Sequence, residues 1–245
     1  MNQSETGIAR RYLDETRYQR RSMGARSLAY PQAPLYKEYP DAAQRLSLAP
    51  ESGRREADLW ACLAGRRSQR DYLDRPLTQA ELAALLWATQ GITGSMGGYE
   101  FRASPSAGAL YPVETYLAVH GVEGVDPGIW HFQVLDFALE LVAAGDFRQP
   151  LVQAGLAQSF LGEAGAVFIW TGVLNRARWK YRERAVRYLF LDAGHICQNL
   201  MLAATALGLG VCPVGAFFDE EVESIVGVDK SQEVPLYLAA VGPIA

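Results

Sequence analysis

Arg66, Ser68 and Arg70 alternate in the run Arg66-Arg67-Ser68-Gln69-Arg70. In an extended segment alternate side chains share a side, so two guanidinium forks flank a hydroxyl. That face suits a phosphate or the edge of a ring cofactor. A solvated basic turn is the simpler explanation of so short a run. In Pro105-Ser106-Ala107-Gly108-Ala109-Leu110-Tyr111-Pro112, small residues lie between two prolines. Gly108 would let this backbone approach a flat ligand closely. A plain connector into the next strand explains the segment equally well. Gly208-Leu209-Gly210-Val211-Cys212-Pro213-Val214-Gly215 follows a helical pattern rather than a strand. It also lacks the Lys-Ser/Thr of a P-loop, so it is neither nucleotide motif. It reads as an apolar, backbone-rich turn able to present an N–H to an aromatic ring, or as a helix C-cap with a buried connection.

Lys180-Tyr181 lies between Arg178 and Arg182, with Asp192, His195, Gln198 and Asn199 beyond. Neighbouring positive charge and burial favour the neutral amine of a lysine, the form that acts as a general base. Taken alone, a surface lysine beside a packing tyrosine explains the pair better. His195 on an apolar helix reads as a hydrogen-bonded core residue, with Asp192 as its candidate partner. No His/Asp/Glu set has metal spacing, and without a GxSxG a hydrolase is set aside.

The elements that must carry these residues follow from periodicity. A helix is expected over Asp58 to Leu63. Thr78 and Glu81 form a capping box for a second helix, with Leu82, Leu85 and Leu86 on one face and Gly91 at its end. GSMGGYEF is expected to be a glycine-rich loop. Strands are expected from Val113 to Val119, Ile129 to Val134, Ala138 to Val142, Ala166 to Val173 and Val234 to Val241. A long helix runs from about Glu183 to Leu207, stopped by Gly208; it is apolar on several sides, which implies burial. Asp219 is expected to cap a short helix. Residues 1–55 read as an irregular arm, with Pro31, Pro34, Pro40 and Pro50 breaking any long helix, packed on a dimer or partly disordered. The compact domain is residues 56–245.

The chain has 245 residues, 49% hydrophobic, with 23 basic against 27 acidic side chains. No basic excess points to nucleic acid or anionic lipid. Cys62, Cys197 and Cys212 show no CxxC spacing, which fits a cytoplasmic protein. Leu200 to Phe218 is uncharged, but its glycines and Pro213 favour a helix ending in a soluble core over a membrane span.

The order of the motifs says more than any one of them. RRSQR, PSAGALYPVE, KYRERAVRYLFLDAGHICQNLMLAATALGLG, PVGAFFDEEV and VPLYLAAVG, in that order, resemble the SagB-type branch of the nitroreductase superfamily from about Arg66 onward. YLDETRY and PLYKEYP in the arm resemble its lead-in. The resemblance implies an α+β fold: a mainly antiparallel sheet flanked by helices, with the long buried helix at a homodimer interface. It implies FMN as cofactor. The FMN contacts fall on Arg66, Ser68 and Arg70, with Arg67 beside them; on Pro105, Ser106, Ala107, Gly108 and Leu110 reaching from the partner subunit; and on Pro213, Val214 and Gly215 at flavin N5. Gln158 is implied near the ribityl chain. Lys180 and Tyr181 fall on the pair that is catalytic in azoline dehydrogenases. The Ser-Ser-x-Asn-x-Gln-Pro-Trp pattern of typical nitroreductases is replaced here, and no basic C-terminal tail is present, so phosphate binding leans on the arginines around Ser68.

The implied reaction is oxidation of a thiazoline or oxazoline in a modified peptide to the azole. A cyclodehydratase or leader-binding protein is the implied partner. Two alternatives stand beside it: a stand-alone NAD(P)H-dependent nitro, quinone or flavin reductase, and a non-catalytic scaffold subunit of a peptide-modifying complex.

Overall fold

The computed structural model describes residues 7–20, 30–50 and 56–245. Its centre is an antiparallel sheet of seven strands. In chain order these are β1 (Arg45–Ser47), β4 (Val113–Val119), β5 (Gly128–Gln133), β6 (Ala138–Ala144), β7 (Ala166–Val173), β8 (Leu209–Val214) and β9 (Glu233–Pro243). Across the sheet the order is β1-β6-β5-β4-β7-β9-β8. Helices cover both faces. On one side lie α3 (Gln79–Gln90) and the long α7 (Ala185–Leu207), whose Leu82, Leu85, Leu86, Ile196 and Leu200 pack with Leu117, Phe168 and Trp170. On the other lie α4 (Arg148–Ala154), α5 (Phe160–Glu163) and α8 (Asp219–Val226), whose Leu151, Leu161 and Val222 meet Tyr116, Ile169 and Leu238. The double cover is why every residue of β4 and β7 is buried.

Local chemistry explains most boundaries. Glu81 N–H donates to Thr78 Oγ1 at 3.1 Å and Thr78 N–H to Glu81 Oε2 at 2.8 Å, the reciprocal cap of α3. Gly91 ends that helix where a Cβ would lie 2.5 Å from the Trp87 ring. Asp58 caps α2 (Leu59–Gly65) by accepting from Trp60 N–H at 2.8 Å. Gly208, at φ 71°, closes α7. No helix among the described residues is long and apolar enough to cross a membrane.

Several elements differ from expectation. GSMGGYEF is not a loop but a hairpin of β2 (Ile92–Met96) and β3 (Tyr99–Arg102), since Gly97 and Gly98 supply the two positive φ angles of a tight turn. The turn expected over Gly208 to Gly215 is mostly edge strand β8. Pro213 is tolerated there because an edge strand need not donate on both sides. A helix without a sequence signal, α6 (Leu174–Tyr181), precedes a short 3-10 turn at Arg182–Arg184, so α7 begins at Ala185. Asp219 lies in the first turn of α8, and Phe218 occupies the cap position. In the N-terminal segment Ile8–Glu15 forms helix α1, and β1 pairs with the edge of β6.

Candidate active site

The expected site residues fall into two clusters. The first lies along edge strand β8. Ser68 and Val211 form a parallel bridge, and Gln69 N–H donates to the Val211 carbonyl at 3.0 Å. The segment is therefore extended, as the alternation required. Tyr72 locks it in place: its hydroxyl donates to the Gln69 carbonyl at 2.9 Å and the Ala240 carbonyl at 3.1 Å. Its ring sits where a Cβ on Gly242 would come within 2.7 Å. Nothing in the sequence singled out Tyr72 or Gly242, because each acts through a contact distant in the chain.

Arg66 is half-buried, Ser68 and Arg70 are exposed, and no described carboxylate pairs with either arginine. The Arg70 guanidinium lies 5.6 Å from the Phe160 ring centroid. Arg67 is engaged elsewhere, donating to the carbonyls of Ala64 at 3.0 Å and Arg66 at 2.7 Å. Gln158 Nε2 donates to Gly155 O at 2.7 Å and to Ala216 O at 3.3 Å, placing it beside the end of Pro213-Val214-Gly215. Two guanidinium groups with no carboxylate partner among the described residues, a hydroxyl and an edge strand with open backbone make a donor set that fits a phosphate-bearing cofactor.

The second cluster is built on the Pro105–Leu110 loop. Gly108 is at φ 66°, and two non-glycine neighbours are also left-handed: Ala109 at 53° and Tyr111 at 44°. Such backbone persists only where surrounding contacts impose it. Ser106 Oγ donates to Asp192 Oδ2 at 2.6 Å and accepts from Tyr111 N–H at 2.9 Å. Asn199 Nδ2 donates to Ala88 O, Ala103 O and Ser104 Oγ at 3.0–3.3 Å. Burial raises the Asp192 carboxyl above its ordinary range, while the Ser106 and Ala107 donors pull it the other way. The hydroxyl of Ser106 thus fixes the loop to α7. Asp192 takes its hydrogen bonds from Ser106 and Ala107 and also interacts electrostatically with His195, which is exposed instead of lying in the core.

Lys180 and Tyr181 meet this loop at Gly108. A Cβ there would lie 2.6 Å from Lys180 Nζ and 2.5 Å from the Tyr181 hydroxyl. Lys180 Nζ lies 5.5 Å from the Tyr181 ring centroid. The expected burial of Lys180 is not found, since it is exposed, and Arg178 beside it is paired with Glu183 at 2.5 Å. Tyr181 is half-buried, and burial, then Tyr188 and Asp192, raise its phenol.

Beneath α6 runs a buried ionic chain. Arg176 meets Glu114 at 2.5 Å, and His131 lies 3.1 Å from both Glu114 and Glu140. Burial opposes ionisation of Glu114, but Arg176, with His131 and Arg102, holds its carboxyl down at about 2. Strand β4, which the Pro105–Leu110 loop enters, and strand β8, which Ser68 bridges, are separated by β7 and β9. Three inter-strand steps amount to about 14 Å.

With this geometry in view, relatives decide the family. The nitroreductase family model matches residues 63–243. This chain belongs to the nitroreductase family. A nitroreductase-named protein of Methanocaldococcus jannaschii, MJ1384, is 38% identical over 76% of this chain and 91% of its own length. The trifolitoxin-processing protein TfxB of Rhizobium leguminosarum bv. trifolii is 32% identical over 52% of this chain and 36% of TfxB. The microcin B17-processing protein McbC of Escherichia coli is 29% identical over 58% of this chain and 54% of McbC. The chain therefore spans about a third and about half of those two processing proteins. Among solved structures, a nitroreductase-named protein from Anabaena variabilis superposes with a TM-score of 0.73 at 29% identity, covering 89% of this chain and 49% of that one. A chain of the E. coli microcin synthetase McbBCD complex shares the fold, with a TM-score of 0.64 at 21% identity, covering all (100%) of this chain and 85% of that one.

Proposed function

We propose that this oxidoreductase binds FMN between two copies of the chain and dehydrogenates thiazoline or oxazoline rings in a peptide to azoles. The observation that carries the reading is the placing of Lys180 Nζ and the Tyr181 hydroxyl over Gly108, on a loop whose shape is imposed from several sides. A typical nitro reduction needs no such base. Similarity to TfxB and McbC, named for the processing of trifolitoxin and of microcin B17, supports a peptide substrate and a partner protein in a processing complex.

In this reading Arg66, Ser68 and Arg70 would hold the cofactor phosphate, Gln158 would contact the ribityl chain, and Pro213-Val214-Gly215 would offer backbone N–H groups to the ring. Pro105 to Leu110 would reach the cofactor from the partner subunit. The separation of the two clusters within one chain is the reason to invoke a second copy. When bound, FMN supplies a two-electron acceptor at N5, and dioxygen can serve as the final oxidant. Lys180 takes the proton from the azoline Cα as a hydride departs from the adjacent carbon, so the ring loses two electrons and two hydrogens. Tyr181 donates a hydrogen bond that orients the ring.

Similarity to the nitroreductase-named MJ1384 favours a second reading, NAD(P)H-dependent reduction. Lys180→Ala separates the two. With a synthetic thiazoline peptide and FMN retained, turnover is expected to fall at least ~100-fold, the usual contribution of a general base. Unchanged turnover removes Lys180 as the base, and rapid bleaching of bound FMN by NADPH supports the second reading.

A further inference from the structure

We propose that Arg184 and Tyr188 are positioning residues for Lys180-Tyr181, and that Thr16, Tyr18, Tyr30 and Pro34 of the N-terminal segment hold this turn in place.

Lys180 and Tyr181 are the last two residues of α6, and the chain then passes through Arg182 at φ 53° and ψ −141°. That backbone is costly for a residue with a side chain and must be imposed by contacts. Around it, Arg176, Glu183, Arg184 and Tyr188 are held by residues more than a hundred positions earlier. The Tyr188 ring lies against Tyr181, with centroids 4.6 Å apart and planes at 58°. The Tyr188 hydroxyl accepts from Arg184 Nε at 3.2 Å and lies 3.4 Å from the Tyr18 hydroxyl. Arg184 also donates to the Thr16 carbonyl at 2.8 Å, and its guanidinium stands 4.4 Å from the Tyr18 ring centroid.

A second grip closes the other side of the turn. The Tyr30 hydroxyl donates to Glu183 Oε1 at 2.7 Å, and the same oxygen accepts from Arg178. The Arg178 guanidinium lies 4.0 Å from the Tyr30 ring centroid. One turn earlier, Arg176 Nε donates to the Pro34 carbonyl at 2.5 Å. Arg176, Arg178 and Arg184 are thus each tied to the N-terminal segment, whereas Lys180 Nζ is directed at Gly108. The segment fixes both ends of the turn that carries the pair. A displacement of about 1 Å in a reacting group can cost ~100-fold in rate, so such fixing has kinetic consequences.

The kinetic half of this inference rests on the azoline reading; the structural half does not. The test is amide hydrogen exchange on the full chain incubated with FMN, alongside turnover of a thiazoline peptide. Arg184→Gln is expected to speed exchange across residues 178–188 at least tenfold while residues 166–173 keep their protection. It should lower kcat about tenfold with KM changed less than twofold, and Arg184→Lys should recover part of that loss. Tyr30→Phe, a milder change at the second grip, should shift exchange in the same direction. Unaltered exchange across 178–188 in both Arg184→Gln and Tyr30→Phe overturns the inference. Faster exchange with unchanged kcat overturns the positioning role. If Lys180→Ala and the unmodified protein turn over the peptide equally, the azoline reading fails, and the exchange result alone decides whether the segment holds the turn.

Discussion

Gly108 is the residue against which Lys180 and Tyr181 lean, and its missing side chain is what lets them. Gly108→Ala introduces a Cβ at φ 66°, within 2.5–2.6 Å of two side-chain tips. The backbone penalty is about 1 kcal/mol. The lysine tip can swing aside, so the protein should still fold, with a melting temperature only a few degrees lower. The two tips must nevertheless retreat, and turnover should drop by about two orders of magnitude. Scanning calorimetry and steady-state kinetics on the same preparation check this. A variant of unchanged activity would show that the pair does not act from this position. The motif residues were legible because chemistry sits in their side chains and order. Tyr72, Tyr188 and Arg184 were not, because each gains its role from a contact with a distant part of the chain.

Among the elements, α6 depends on the ion pair beneath it. Arg176 and Glu114 are both buried, so removing the cation leaves a carboxylate in a poorly solvating site. Arg176→Met is expected to cost about 3–5 kcal/mol, read as a lower midpoint in urea. The pH dependence follows from the sign of the shift. Glu114 is held below its ordinary value of 4.5, at about 2, so its contribution is complete above pH 4.5 and lost as pH falls towards 2. In the variant this acid-linked loss should shrink. A midpoint within experimental error of the parent protein would contradict the pairing. Strands β4, β7 and β9, helix α3 and the body of α7 were readable from periodicity and caps, since their patterns are local. The β2–β3 hairpin, β8 and α6 were not. Glycines suggest a loop until a partner strand is known, and α6 is polar, with only Arg176 and Ala177 buried.

At the scale of the molecule, Phe190, Leu191, His195 and Gln198 lie exposed along α7, and Leu59, Trp60 and Leu63 along α2. A long helix with large apolar side chains in water fits the proposed dimer. The dimer predicts that FMN affinity depends on protein concentration: dilution that yields monomers by light scattering should also release FMN, seen as rising flavin fluorescence. Monomers retaining FMN at full affinity would contradict a shared site. The family and the sheet–helix architecture are established by the match over residues 63–243, while substrate and base rest on Lys180 and Tyr181. The most direct test is therefore the mass of a thiazoline-containing peptide after incubation with the FMN-loaded protein in air. The account predicts a loss of about two daltons per ring, absent with Lys180→Ala although FMN remains bound. A peptide of unchanged mass, from a protein whose FMN is rapidly reduced by NADPH, would contradict it.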